Sequence, residues 1–153
     1  MAHHALSKRL TPLCHAAQVL EALQSAKCGL QDPQPEQPAQ PAAGLMTIDI
    51  LGRHMDAAGA PRQVAVEVDG PTHFVSHLSA APAGGGVDVS YSLDGSTQWR
   101  NAMLQHYGYV VVTVPYQEWD SRSRDQHVAL LQRRLRAALL AEGVQPGGVL
   151  AAE

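Results

Sequence analysis

The chain has 153 residues, a net charge of −3 at pH 7, 16% charged residues and 45% hydrophobic ones. That length suits one domain with a tail and lets folding bury about two-thirds of the unfolded chain's surface. A negative balance excludes a surface that binds polyanions everywhere, and no apolar run reaches the roughly 20 residues of a membrane-spanning helix, so no membrane partner is expected.

Any nucleic-acid contact must then come from a local basic patch, and Arg122, Arg124, Arg133, Arg134 and Arg136 crowd one region. Cys14 and Cys28 lack a C-x-x-C context, which suggests free thiols in a reducing compartment and neither a zinc site nor a disulfide framework. The opening MAHHALSKRL is basic and free of acids until Glu21; it reads as a helix start before it reads as an organellar targeting peptide.

In chain order, Thr11-Pro12 predicts an N-cap and a first helical proline. Leu13, Ala16, Ala17, Leu20, Leu23 and Gln24 then recur at helical spacing to Lys27, with Gly29 placed to end the helix. Residues 1–29 form this helical segment, able to dock on the sheet, and the Pro/Gln-rich 30–43 follow as a linker. A main domain over 44–142 opens with a strand, Leu45 to Leu51. A polar turn over 52–62 leads to a second strand over 63–69, giving a hairpin.

Val64, Val66 and Val68 mark one buried face of that second strand, while Ala65, Glu67 and Asp69 lie on the other. Gly70-Pro71 stops it, and 71–92 reads as an irregular loop, most flexible at Gly84-Gly85-Gly86. Asp94 or Ser96 caps a helix to about Tyr107 with Trp99, Ala102, Met103 and His106 along one side. Val110 to Val114 is a continuous apolar strand covered on both faces and stopped by Pro115. A last helix, about Arg124 to Glu142, turns Val128, Leu131, Leu135 and Ala138 inward, and 143–153 is a flexible tail. The fold class is α/β, a small mixed sheet flanked by helices.

Three blocks, Glu67-Val-Asp-Gly-Pro-Thr-His-Phe74, Gly95-x-Thr97-x-x-Arg100-x-x-x-Leu104 and Gly108-Tyr-Val-Val-Val-Thr-Val-Pro-Tyr-Gln-Glu-Trp119, stand in order along the chain. Together they resemble a RAP domain, over roughly Gly44 to Leu140. The resemblance implies an RNA-binding or RNA-processing accessory domain, as found in algal octotricopeptide-repeat proteins. It also implies a restriction-endonuclease-like fold, a chloroplast or mitochondrial location, RNA (single-stranded or structured) as partner, and a helical-repeat RNA-binding protein as a second partner. No repeat array that reads RNA base by base is present in this chain.

Nucleases of that fold hold one or two Mg²⁺ ions on an Asp of one strand and an acidic-x-Lys of the next. Asp49 and Glu67-Val68-Asp69 match those positions, making Asp49, Glu67 and Asp69 the candidate ligands for Mg²⁺ or Mn²⁺. Their clustering without a cation would raise at least one carboxyl pKa. Asp69 stands where that pattern has Lys, with His73 and Arg100 as stand-ins, so the candidate catalytic set is Asp49, Glu67, Asp69, His73 and Arg100.

Each residue also has a plainer role. His73 is a proton shuttle or phosphate donor, or else a ring packed under the loop and bonded to a carboxylate. Arg100, read as lying in the first turn of its helix, pairs with Glu67 or Asp69, or contacts phosphate. Trp99 and Trp119 anchor the core, with stacking on an unpaired base as the other role. Arg133, Arg134 and Arg136 are a solvated helix face or a phosphate track. His54, His77 and the N-terminal histidines are expected at the surface, and Phe74, the chain's one phenylalanine, in the core. Three functions stay open: RNA-binding accessory domain, metal-dependent nuclease, and protein-interaction domain without either activity.

Overall fold

The computed structural model describes residues 12–25, 27–41, 44–80 and 87–151. Thr11, the MAHHALSKRL stretch and Gly84 to Gly86 lie outside the described residues, as do the side chains of Leu13 and Cys14. The elements run α1 (Pro12–Leu23), β1 (Gln31–Pro38), β2 (Thr47–Met55), β3 (Pro61–Asp69), β4 (Phe74–Ala80), β5 (Val87–Leu93), α2 (Gly95–His106), β6 (Val110–Pro115), α3 (Tyr116–Asp120) and α4 (Arg124–Ala141). A mixed sheet has the order β1-β2-β3-β6, antiparallel at the first two junctions and parallel between β3 and β6; β4 and β5 pair separately as a ribbon.

Period-two patterning sorts the sheet's faces. Ile50, Val64, Val66, Val68, Val110, Val112 and Val114 pack against Val19 and Leu23 of α1 and Leu130, Leu131, Leu135 and Leu139 of α4. On the other side Ala65 joins Ile48, Ala39, Tyr109 and Leu104 of α2 in a smaller cluster. This bears out a strand covered on both faces at β6 and a helix docked on the sheet at α1. The Asp94 cap matches its sequence signal, accepting the Thr97 amide at 2.7 Å, and the structure adds a capping box between Ser123 and Gln126.

Several expectations are corrected. The Pro/Gln-rich linker is an edge strand, β1, whose residues are nearly all exposed. Proline is tolerated there because an edge strand has one side without ladder partners, and a strand that buries so little carries no hydrophobic alternation to read. The irregular 71–92 stretch contains the β4–β5 ribbon, with Ala80 opposite Val87. Its alternation of Val87, Val89, Tyr91 and Leu93 is a strand signal that the neighbouring glycines obscure.

The flexible tail is docked. Val144 and Leu150 are buried in the main core, Pro146 bridges to Asp56, and Arg136 donates to the Leu150 carbonyl at 3.1 Å. Finally, His54 is buried, its Nδ1 2.8 Å from the Gly29 carbonyl and its Nε2 accepting the Gly147 amide at 3.1 Å, so it ties the α1 exit to the C-terminal segment. Gly147 makes this possible, since a Cβ there would lie 2.5 Å from the Met55 carbonyl oxygen.

Cys28 is buried in the main cluster, and burial pushes its thiol up to about 12. Trp99 is 61% exposed, against the expected anchoring role. Leu104 is the inward residue of α2, and five positions turn a helix about 140° beyond a full circle, which carries Trp99 to the opposite side.

Candidate functional site: an acidic cluster closed by an arginine

The β2–β3 ladder pairs Met55 with Pro61 through to Ile50 with Val66. At the next position Asp49 turns its carboxylate into the ladder, and Oδ2 accepts the Val68 amide at 2.8 Å. Glu67 and Asp69 sit on the β3 face opposite the valines, each 1% exposed. Parallel pairing places them beside Thr113 and Pro115 of β6. Three carboxylates thus meet at one end of the sheet, as the hairpin pattern implies.

Arg100 answers them from α2, in its second turn and not its first. Its Nη2 stands 2.5 Å from Glu67 Oε2 and 3.8 Å from Asp49 Oδ1, and it donates to the Thr47 carbonyl. His73 ends the short 3-10 turn Pro71–His73, with Nδ1 3.0 Å from Asp69 Oδ1. The same residue's carbonyl accepts the Asp94 amide at 2.8 Å, joining the base of the ribbon to the cap of α2.

The electrostatics follow from burial. Desolvation, aided by Asp49 and Asp69, pushes the Glu67 carboxyl up to about 8 despite Arg100. Burial also raises Asp69, opposed by its bond to His73. Glu67 Oε1 and Asp69 Oδ2 are buried with no hydrogen-bond partner among the described residues.

Among the described residues no group of three or more His, Cys, Asp or Glu side chains is placed to hold a metal ion. The guanidinium of Arg100 supplies positive charge among the carboxylates.

A second charged group lies on α3 and α4, where Glu118 is ringed by arginines. Arg134 bonds to it directly, Arg133 Nη2 is 3.5 Å away and Arg122 Nη2 4.0 Å. Arg133 is the most exposed of them, its side chain 65% accessible. Arg136 instead serves the C-terminal segment through the Leu150 carbonyl. Trp119 is buried and stacked on His127 with ring centroids 3.7 Å apart, its Nε1 donating to Gln18 at 3.0 Å, so its face is not offered to a base. Phe74 is partly buried, edge-on to Tyr116 at 6.0 Å, and His77 is exposed and bonded to Ser92. Sequence reasoning missed Glu118 as a hub; Arg122 stands four positions on, but Arg133 and Arg134, 15 and 16 positions away, give no local spacing signal.

The fold and the site define an α/β domain that buries carboxylates at one sheet end under an arginine and carries a cluster of arginines on its last helices. The family model of the RAP domain matches residues 66–134, so this stretch of the chain is similar to a RAP domain. The match runs from β3 into α4, taking in Glu67, Asp69, His73, Arg100, Trp119, Arg133 and Arg134 and leaving out Asp49 and Arg136. Neither a curated protein nor a solved structure matches the chain. Among the described residues no helix is long and apolar enough to cross a membrane.

Proposed function

We propose that this protein binds RNA through the arginine cluster of α3 and α4, as an accessory domain in organellar RNA processing. The RAP family is assigned to RNA binding. The observation that carries the reading is the excess of charge around Glu118: three arginines share one carboxylate, so positive charge remains for phosphates in an otherwise acidic protein. A chloroplast or mitochondrion is the proposed compartment, and a helical-repeat protein that reads the sequence is the proposed partner, because a charge cluster without exposed aromatic faces positions a backbone and does not specify bases.

The acidic cluster then serves the architecture, with Arg100 fastening α2 to the sheet end. The order of one helix, three strands, a helix and a strand, with the ribbon as an insertion, supports a restriction-endonuclease-like ancestry. A metal-dependent endonuclease using Asp49 and Glu67 is the second reading, favoured by the meeting of carboxylates from adjacent strands.

One experiment separates the readings. Labelled single-stranded and hairpin RNA is incubated with the protein in Mg²⁺, in Mn²⁺ and in EDTA, then run on native and denaturing gels. Binding that falls steeply with salt, weakens in the Arg133→Glu, Arg134→Glu double variant and leaves the RNA intact supports the first reading. Metal-dependent cleavage abolished by Asp49→Ala and Glu67→Ala would replace it with the second.

A further inference from the structure

A cleft of about 710 Å³ opens where α1 meets the sheet. Its walls are apolar: Ala16, Ala17 and Leu20 come from α1, and Pro35, Ile50 and Val68 from β1, β2 and β3. Three polar side chains complete the lining, Glu36 of β1, Asp49 of β2 and His73, and no Lys or Arg among the described residues joins them. Apolar walls with a few converging polar groups are the make-up of a small-ligand site, and the volume is of the right size.

All three polar groups offer acceptors. Pro35 lies opposite Ile50 and Gln37 opposite Ile48, so Glu36 stands across from Asp49. Like charges placed so cost stability unless a donor lies between them. Asp49 spends one oxygen on the Val68 amide, whereas Glu36 has no hydrogen-bond or ion-pair partner among the described residues. His73 turns Nδ1 to Asp69 at 3.0 Å, which leaves Nε2 as the ring atom free to accept.

That chemistry narrows the ligand. A phosphate finds no cation in the cleft. On their Watson–Crick edges adenine, cytosine and uracil each set an acceptor beside a donor, and the acceptor would meet a carboxylate oxygen. Guanine alone carries two donors side by side, N1–H and the N2 amine, matching the two oxygens of one carboxylate on a ring that suits apolar walls. The cleft also lies within reach of the arginines. At 3.6 residues per turn, Ala16, Ala17 and Leu20 point to one side of α1, and His15 and Gln18 to the other. His15 Nε2 is 2.9 Å from Asp120, and Gln18 accepts from Trp119, so the cleft and α3 flank a single helix.

We propose that this cleft receives one unpaired guanine base, with Glu36 accepting from its N1–H and N2 amine and the α1 side chains covering its ring. The proposal rests on the RNA-binding reading and adds a one-base readout to arginines that only position a backbone. Free guanosine nucleotides carry the same edge, so the test separates the two sources.

Filter binding of the full chain to short labelled oligouridines tests this, with G, inosine (which lacks the N2 amine) or A at one position. The G oligomer is expected to bind about tenfold tighter than the other two. Glu36→Gln and Ala17→Phe, both at exposed positions that the fold tolerates, should erase that preference, the second by filling the cleft. The Arg133→Glu, Arg134→Glu double variant should weaken all three oligomers alike. Salt-sensitive binding equal for all three overturns the guanine site, keeps the RNA reading and leaves the cleft to another bearer of paired donors, such as an arginine side chain of a partner protein. A preference for G that both cleft variants retain overturns the placement. If no RNA binds but GMP raises the melting temperature more than IMP or AMP does, the guanine site stands with free nucleotide as its source, and the RNA reading falls. No response to RNA or to GMP overturns both.

Discussion

Arg100 reaches from α2 to Glu67 on β3, its Nη2 2.5 Å from a carboxylate that is 1% exposed. The pair joins two elements separated along the chain by the β4–β5 ribbon, and the pull of the guanidinium is not enough to keep Glu67 in its ordinary carboxylate range.

Removing the cation should therefore destabilise the fold without leaving a bare buried charge, because Glu67 answers by holding its proton. Arg100→Met also strands the Thr47 carbonyl and one side of Asp49. The expected loss is about 1–3 kcal/mol by urea denaturation, with Arg100→Lys intermediate. A double variant, Arg100→Met with Glu67→Met, should recover much of the loss. Additive losses would show that the two side chains do not act as a unit.

Glu67 also makes stability depend on pH. Its folded pKa of about 8 lies above the ordinary 4.5, so the folded chain retains a proton that the unfolded chain has released within that window. The protonated carboxyl's contribution is complete below the lower value and is lost as pH rises toward the upper one, at up to about 1.4 kcal/mol per pH unit. Asp69, also raised, adds in the same direction. The melting temperature should fall between pH 5 and pH 8.5, and Glu67→Gln should flatten that slope. An unchanged slope in the variant would assign the titration elsewhere.

Glu118 holds Arg122, Arg133 and Arg134 back from any phosphate. Under the RNA-binding function, Glu118→Gln should raise affinity several-fold at low salt and steepen the logarithmic salt dependence by up to about one. Filter binding from low to moderate salt measures both. Weaker binding in the variant would mean that Glu118 organises the arginines for RNA, and unchanged binding that they stand outside the interface.

Gly147→Ala tests the docked C-terminal segment. The added Cβ would meet the backbone of Met55 and Asp56, which cannot give way as a flexible side chain would. Pro146, Leu150 and the His54 bond should all be disturbed, at a cost of about 1–3 kcal/mol. A melting temperature equal to wild type would show that the segment contributes little to the fold.

Much of this architecture was legible. The valines of β3 and β6, the cap of α2 and the meeting of Asp49, Glu67 and Asp69 all follow from period, cap chemistry and hairpin geometry. Elements that bury little were not. Both β1 and the ribbon lack a covered face, so composition pointed to linker and loop where backbone pairing prevails. His54 was misplaced because its partners, the Gly29 carbonyl and the Gly147 amide, lie 25 and 93 positions away. Trp99 was misplaced because hydrophobicity says nothing about which side of α2 meets the sheet; Leu104 decides that. At the acidic cluster, the residues were readable but the raised carboxyl of Glu67 depends on burial that only the folded chain reveals.

His73 stands at a junction that gives the molecule a lever. Its ring holds Asp69, its carbonyl holds the residue that starts α2, and the next residue begins the ribbon. A substitution that shifts His73 therefore disturbs a buried carboxylate, the start of the helix that bears Arg100 and the base of the ribbon together.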